Sequence, residues 1–141
     1  RIETYLRENS FIPESFPREY LKQVIALFQK RMKNFDEFYD QAEFFFKDDF
    51  SVKDDARKML EENLESKKYF AMLKDAFTRD TEFSLASTEK ILRDIAQALG
   101  IEAAKLIHPV RAALTGRTVS PGLFDVMVLL GKEKVLERLG I

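Results

Sequence analysis

Apolar side chains recur at the three- and four-residue spacing of an α-helix along almost the whole chain. One such helical face carries Tyr69, Phe70, Leu73 and Phe77. No segment shows the alternation of apolar and polar residues that is typical of a half-buried strand. The pattern predicts an all-α chain, and the length of 141 residues allows two small packed helical bundles.

Capping residues predict where several helices begin. Asn34 followed by Glu37 is typical of a capping box, in which side chains bond the exposed amides of the first turn. Ser51 with Asp54 repeats this spacing ahead of another amphipathic run. Ser87 is the predicted cap of a later helix.

The segment Arg79–Ala86 is the predicted boundary between two helical halves. We therefore expect a first subdomain at residues 1–80 and a second at residues 81–141. In the second, Gly100 occupies the position just past a helix end, where glycine is favoured.

Backbone-shaping residues are dense between His108 and Phe124. Pro109 disfavours helical geometry at His108, so a new short helix is expected to start there and to stop at Gly116. Ser120 is the predicted cap of the next helix, with Pro121 at its first position. Two adjacent helix starts are thus predicted in this stretch.

The composition excludes several classes of function. No cysteine is present, so the chain has no disulfide or thiolate metal site, which fits a cytoplasmic location. No apolar run approaches the roughly 20 residues that span a bilayer, and no membrane partner is expected. The net charge of −1 means that any contact with nucleic acid must be local. Because the chain begins at Arg1, we expect a piece of a longer protein.

Catalysis within this chain is poorly supported. The single histidine, His108, has no serine or aspartate at triad-like spacing and is interpreted as structural. The pairs Asp48-Asp49 and Asp54-Asp55 flank a helix start and lack the pattern of a calcium loop, so we expect no metal site. Phe44-Phe45-Phe46 could stack on bases, but phenylalanine on an inward helix face favours a core role.

The stretch from Pro109 to Phe124 has the chemistry of a site for an unstacked RNA base. Arg111 and Arg117 supply planar guanidinium groups, which stack on bases and bond their edges. Ser120 adds a hydroxyl beside the amides of a predicted helix start, and Pro121 and Leu123 add apolar surface. Because such junctions are common in helical proteins, these residues alone do not decide between RNA recognition and a structural role.

The same residues resemble a known family. The segments Pro109-Val110-Arg111-Ala112-Ala113-Leu114-Thr115-Gly116 and Ser120-Pro121-Gly122-Leu123-Phe124 are similar to the carboxy-terminal end of bacterial glutamyl-tRNA synthetases. Leu130-Gly131-Lys132-Glu133 and Leu136-Glu137-Arg138-Leu139 extend the likeness, and Asp36–Phe46 resembles an earlier helix of the same domain. The resemblance spans essentially the whole chain and is most specific after residue 104.

This resemblance implies a helical, cage-like anticodon-binding domain of a class I enzyme. The parent enzyme joins glutamate to its tRNA using ATP with Mg²⁺ in a catalytic domain that this chain lacks, so no cofactor is expected here. The implied partner is the anticodon loop of tRNA(Glu), with no DNA and no membrane, and the parent is expected to be a monomer. The implied tRNA-binding residues are Arg31, Arg93, Arg111, Ser120, Pro121 and Leu123.

Two points stay open within the resemblance. Arg31 is our placement for an arginine that separates glutamate from glutamine tRNAs, although Lys30 or Lys33 fits the same loose pattern. Arg117 is not required by the pattern and is interpreted as a contact to the RNA backbone or a solvated residue. The competing interpretation of the whole chain is a helical protein–protein interaction module with no RNA role.

Overall fold

Helices account for all the regular structure that is described. The computed structural model describes residues 2–29 and 34–140, and these contain α-helices and no strand, which confirms the predicted all-α class. The helices are α1 (Ile2–Glu8), α2 (Arg18–Phe28), α3 (Phe35–Phe46), α4 (Asp54–Glu62), α5 (Ser66–Arg79), α6 (Leu85–Leu99), α7 (Ala104–Thr115), α8 (Leu123–Leu130) and α9 (Lys132–Leu139).

The chain divides into two compact units, Arg1–Ser51 and Val52–Ile141. The first contains α1 to α3, and the second contains α4 to α9. The predicted boundary at residues 80 and 81 lies inside the second unit, between α5 and α6, which pack against each other. As a division of function, residues 1–80 and 81–141 stay a prediction.

Phenylalanine rings build the core of the first unit. The ring of Phe28 on α2 lies 5.7 Å from that of Phe38 and 6.1 Å from that of Phe45, both edge-on. Phe44 and Phe45 are buried, whereas Phe46 is half-buried. The expected core role of the Phe44–Phe46 run is confirmed for its first two members.

The cap predicted for α3 is present in the structure, whereas the cap predicted for α4 is not. The Asn34 side chain accepts the Glu37 amide at 2.7 Å, which confirms the predicted start of α3. The predicted Ser51 cap is wrong, because α4 begins at Asp54 without a side-chain cap. The amide and hydroxyl of Ser51 instead bond the Glu43 carboxylate at 2.9 and 2.7 Å. Glu43 is 9% exposed, and a buried carboxylate requires such donors.

The second unit is a bundle in which α4 packs on α7, α5 packs on α6 and α9, and α6 packs on α8. Each helix of the bundle turns an apolar face toward the interior. Its fully buried side chains include Leu73, Phe77, Leu92, Leu106, Val110, Leu114, Val126, Met127 and Val135.

The junction between α5 and α6 is held by polar groups. The helix cap is Ser84 rather than the predicted Ser87, and the two residues form a reciprocal capping box. The Ser87 hydroxyl also donates to the Asp80 carboxylate at 2.6 Å. Lys132 donates to the carbonyls of Thr78 and Asp80 at 2.8 and 2.7 Å. Because serine stands at both ends of the box, the sequence pattern placed the cap at Ser87, three residues after the cap in the structure.

Asp80 has a lowered pKa at this junction. Its partial burial acts to raise the pKa, but the Ser87 hydroxyl and the amides of Phe83 and Glu82 lower it, and nearby Lys132 lowers it further. The hydrogen bonds and the charge of Lys132 together outweigh the desolvation of the carboxylate.

Helix α7 runs unbroken through Pro109, so the predicted break at His108 is wrong. A proline costs its helix the bond to the carbonyl four residues earlier, here that of Lys105. Lys105 is exposed, so water can satisfy this carbonyl, while the Pro109 ring is buried. His108 shapes no turn: it lies exposed within the continuous helix.

The glycines end helices as predicted. Gly100 (φ 71°) follows α6 and Gly116 (φ 70°) follows α7, both in the left-handed region that favours glycine. Among the described residues, no helix combines the length and apolar character needed to cross a bilayer.

Candidate nucleic-acid interface

Arg111 and Ser120 meet where α7 gives way to the loop before α8. The Arg111 Nε–H donates to the Ser120 hydroxyl oxygen at 2.9 Å, across nine positions of sequence. The Ser120 hydroxyl in turn donates to the Pro121 carbonyl at 2.7 Å. Both side chains are half-buried, so the pair can be reached from solvent.

This arrangement differs from the predicted pair of helix starts. Arg111 lies near the carboxyl end of α7 instead of in a first turn, because the helix is continuous through Pro109. Ser120 caps no helix, since α8 begins at Leu123 after Gly122 and has no side-chain cap. The site is therefore a helix end followed by a loop, and the Ser120 hydroxyl accepts a hydrogen bond from Arg111.

The loop at residues 116–122, which we call the α7–α8 loop, is anchored to the start of α4. The Lys53 amide donates to the Gly116 carbonyl at 2.9 Å. The Thr118 hydroxyl donates to the Asp55 carboxylate at 2.8 Å. With the Ser120 bond, the loop is held at three positions, and a loop held in this way loses little further entropy when it binds.

Arg117 is buried within this loop, with 6% of its surface exposed. Its Nη1 lies 3.3 Å from the Thr115 carbonyl and 3.4 Å from that of Gly116. The Thr115 hydroxyl donates to the Arg111 carbonyl at 2.7 Å and accepts the Arg117 amide at 3.0 Å. The interpretation of Arg117 as a solvated residue is wrong, because its side chain is buried. A contact of Arg117 to the RNA backbone stays a prediction. Arg117 supports the loop that carries Ser120.

Pro121 and Leu123 lie beneath the loop surface. Pro121 is buried, and Leu123 is 3% exposed. The apolar side chain at the surface of this loop is Val119, which is 66% exposed between the anchored Thr118 and Ser120. Sequence inspection missed Val119, since a lone valine in a polar loop carries no pattern.

The remaining predicted residues are not in this loop. Arg93 lies on α6, half-exposed, and its Nε–H donates to Glu89 one turn earlier at 2.8 Å. Arg31 and its alternatives Lys30 and Lys33 lie outside the described residues. The structure thus brings together Arg111, Ser120, Pro121 and Leu123 and places Arg93 on a separate helix.

A cavity of about 230 Å³ lies beside α7, between this helix and the end of α4. His108 and Pro109 line one side, and Met59 and Asn63 line the other. Across residues 2–29 and 34–140, no cluster of three or more histidine, aspartate or glutamate side chains is placed to hold a metal ion.

The structure is a helical domain in which a half-buried arginine is bonded to an anchored loop. Comparison with known proteins identifies the family to which this domain belongs. A profile of the anticodon binding domain family matches residues 2–141. The chain belongs to this family of anticodon-binding domains.

Similar proteins carry a consistent name. A glutamate–tRNA ligase of Thermus thermophilus is 35% identical over 99% of this chain and 29% of its own length. One from Moorella thermoacetica is 35% identical over 96% of this chain and 28% of its own length. The chain therefore spans less than a third of the relatives that it matches.

A solved structure shares the fold. A glutamate tRNA ligase from Elizabethkingia meningosepticum, crystallised with its amino acid, superposes with a TM-score of 0.82 at 24% identity. The match covers 99% of this chain and 27% of that protein.

Proposed function

We propose that this chain is the anticodon-recognising part of a longer glutamate–tRNA ligase. The family match and the shared name of the relatives support this role. The rest of the parent enzyme attaches glutamate to tRNA(Glu) with ATP and Mg²⁺, as a cytoplasmic monomer. This chain supplies recognition and no catalytic group.

The observation that carries the proposal is the Arg111–Ser120 bond on the anchored α7–α8 loop. A guanidinium held at a solvent-accessible position can bond the edge of an unstacked base or stack on its face. Arg93 on α6 is the second proposed contact to the anticodon loop, where an RNA phosphate or base replaces Glu89 as its partner. The buried side chains of Pro121 and Leu123 support the loop and do not contact the base themselves.

A net charge of −1 fits this division of labour. Phosphate contacts supply most of the affinity for nucleic acid, whereas base contacts supply specificity. We place most phosphate contacts on the remainder of the parent enzyme. For the last anticodon base we propose Arg31, with Lys30 and Lys33 as alternatives, as the group that separates glutamate from glutamine tRNAs.

The test is steady-state charging of tRNA(Glu) by the full-length protein with Arg111→Ala. The loss of one good base contact costs about 1–3 kcal/mol, which lowers kcat/KM for tRNA on the order of tenfold to a hundredfold. The matched control is Arg79→Ala, an exposed arginine at the end of α5 that is paired, like Arg93, with a carboxylate one turn earlier.

The expected result is a loss for Arg111→Ala, an unchanged KM for glutamate at saturating tRNA, and wild-type kinetics for Arg79→Ala. Equal kcat/KM values for the wild type and Arg111→Ala would overturn the proposed site. If charge swaps at Arg93 and Arg111 both left charging untouched, an interaction module without an RNA role would be favoured.

A further inference from the structure

Ser120 has two possible roles beside Arg111: it can donate a hydrogen bond to the base, or it can hold the arginine. The distinction matters because the first makes the hydroxyl a specificity group and the second makes it a support. The hydrogen-bond geometry on this loop separates the two roles.

The hydroxyl proton of Ser120 is already committed. A serine hydroxyl has one proton to donate and two lone pairs to accept with. The proton points to the Pro121 carbonyl at 2.7 Å, and one lone pair accepts the Arg111 Nε–H at 2.9 Å. Donation to a base would require the Pro121 bond to break, whereas support of Arg111 requires no change.

The guanidinium is oriented as a consequence. Arresting rotation about the last bonds of an arginine side chain costs conformational entropy on binding, so a guanidinium that the protein already holds binds a base at a lower cost. With Nε–H given to Ser120, a two-bond contact to a base edge has to use the Nη1 and Nη2 groups of Arg111. The hydroxyl therefore selects which edge of the guanidinium meets the base.

The loop keeps Ser120 in place for this task. Thr118, two residues earlier, is bonded to Asp55, and Gly116 is bonded to the Lys53 amide. The carbonyl of Arg111 itself accepts the Thr115 hydroxyl at 2.7 Å. Hydrogen bonds within the protein thus restrain both the loop that carries Ser120 and the main chain at Arg111.

We propose that Ser120 is a positioning residue: it orients the Arg111 guanidinium toward an unstacked RNA base and donates no hydrogen bond to that base. This inference rests on the proposed function, since it assumes that Arg111 contacts the anticodon. It predicts that the hydroxyl acts only through Arg111.

A double-mutant cycle in the full-length protein tests this, with Arg111→Ala, Ser120→Ala and the double variant charging tRNA(Glu). Ser120→Ala is expected to lower kcat/KM for tRNA by about tenfold in the wild-type background, as for a bond to a charged group. It is expected to cause less than a twofold further loss in the Arg111→Ala background. Ser120→Thr keeps the hydroxyl and is expected to restore at least half of the wild-type value.

Two measurements keep a folding defect apart from positioning. The thermal midpoint of Ser120→Ala should lie within a few degrees of the wild type. Its preference for the cognate anticodon over one with a changed base should fall as it does in Arg111→Ala, which a merely structural defect would not cause.

The outcomes separate the two claims. Independent, multiplicative losses in the cycle would overturn the positioning role while leaving anticodon recognition intact. No loss for Arg111→Ala would overturn the proposed site, and the inference with it. A failure of Ser120→Thr to restore charging, with its fold unchanged, would also overturn the positioning role.

Discussion

The Thr118 hydroxyl donates to the Asp55 carboxylate at 2.8 Å, so two residues 63 positions apart join the α7–α8 loop to the start of α4. Asp55 lies in the first turn of α4, where a carboxylate also complements the helix dipole. One side chain thereby serves a helix start and a loop that carries a candidate recognition residue. This bond restrains the loop in the absence of RNA.

Thr118→Val removes this bond with little change of shape. Because the bond is exposed, we expect a loss of only about 1 kcal/mol in the free energy of unfolding. The KM for tRNA should rise severalfold, since the loop must then be ordered on binding. The measurement is charging kinetics together with thermal unfolding.

Thr78→Val is the matched control for this prediction. Its hydroxyl bonds the Lys74 carbonyl within α5, outside the proposed interface. We expect its KM for tRNA to match the wild type. A rise in KM of the same size in both variants would show that the anchoring of the loop has no special role.

Arg117→Ala should act on stability before it acts on recognition. The guanidinium is buried against the main chain at Thr115 and Gly116. Its removal takes the donor from the Thr115 carbonyl and leaves the Gly116 carbonyl with the Lys53 amide, at a cost of about 2 kcal/mol in the free energy of unfolding. Urea unfolding checks this, and an unchanged midpoint with impaired tRNA binding would instead support a direct RNA contact.

Asp80→Asn should destabilise the chain in a manner that depends on pH. A carboxylate whose pKa is lower in the folded state than in the unfolded state binds fewer protons when folded. Its contribution is present above the unfolded pKa of about 4 and is lost as the pH falls through the lower folded value.

The stability of wild type and Asp80→Asn, measured by urea unfolding from pH 7 to pH 3, should therefore converge toward the acid end. Ser87→Ala removes one of the donors that lower the pKa and should reduce the pH dependence in part. A gap between wild type and Asp80→Asn that stays constant down to pH 3 would contradict this account.

This chain alone should bind tRNA weakly. With a net charge of −1 it cannot draw on broad phosphate neutralisation. We expect a dissociation constant in the micromolar range or above at physiological salt, as is typical without many phosphate contacts. Fluorescence titration with tRNA(Glu) checks this, and nanomolar affinity would be incompatible with the division of labour proposed above.

Structural features that depend only on residues close together in the sequence could be predicted from it. The helical class, the end of α6 at Gly100 and the end of α7 at Gly116 follow from local spacing and from the conformational freedom of glycine. The Asn34 cap follows in the same way.

Features that depend on distant partners could not be predicted. Pro109 is tolerated inside α7 because its ring packs in the interior, which local preference does not reveal. Ser120 forms a bond to Arg111 instead of a cap, and Asp55 is linked to a loop far away in sequence. The candidate residues of the loop were thus found by their chemistry, while their arrangement required the fold.

The central claim is that Arg111 contacts an anticodon base, and a cycle between protein and RNA tests it most directly. Each anticodon base of tRNA(Glu) is changed in turn, and kcat/KM is measured for the wild type and Arg111→Ala of the full-length protein. For the base that Arg111 contacts, we expect the change to cost the wild type on the order of tenfold or more and the variant almost nothing. Equal losses in both proteins at every base would contradict the account.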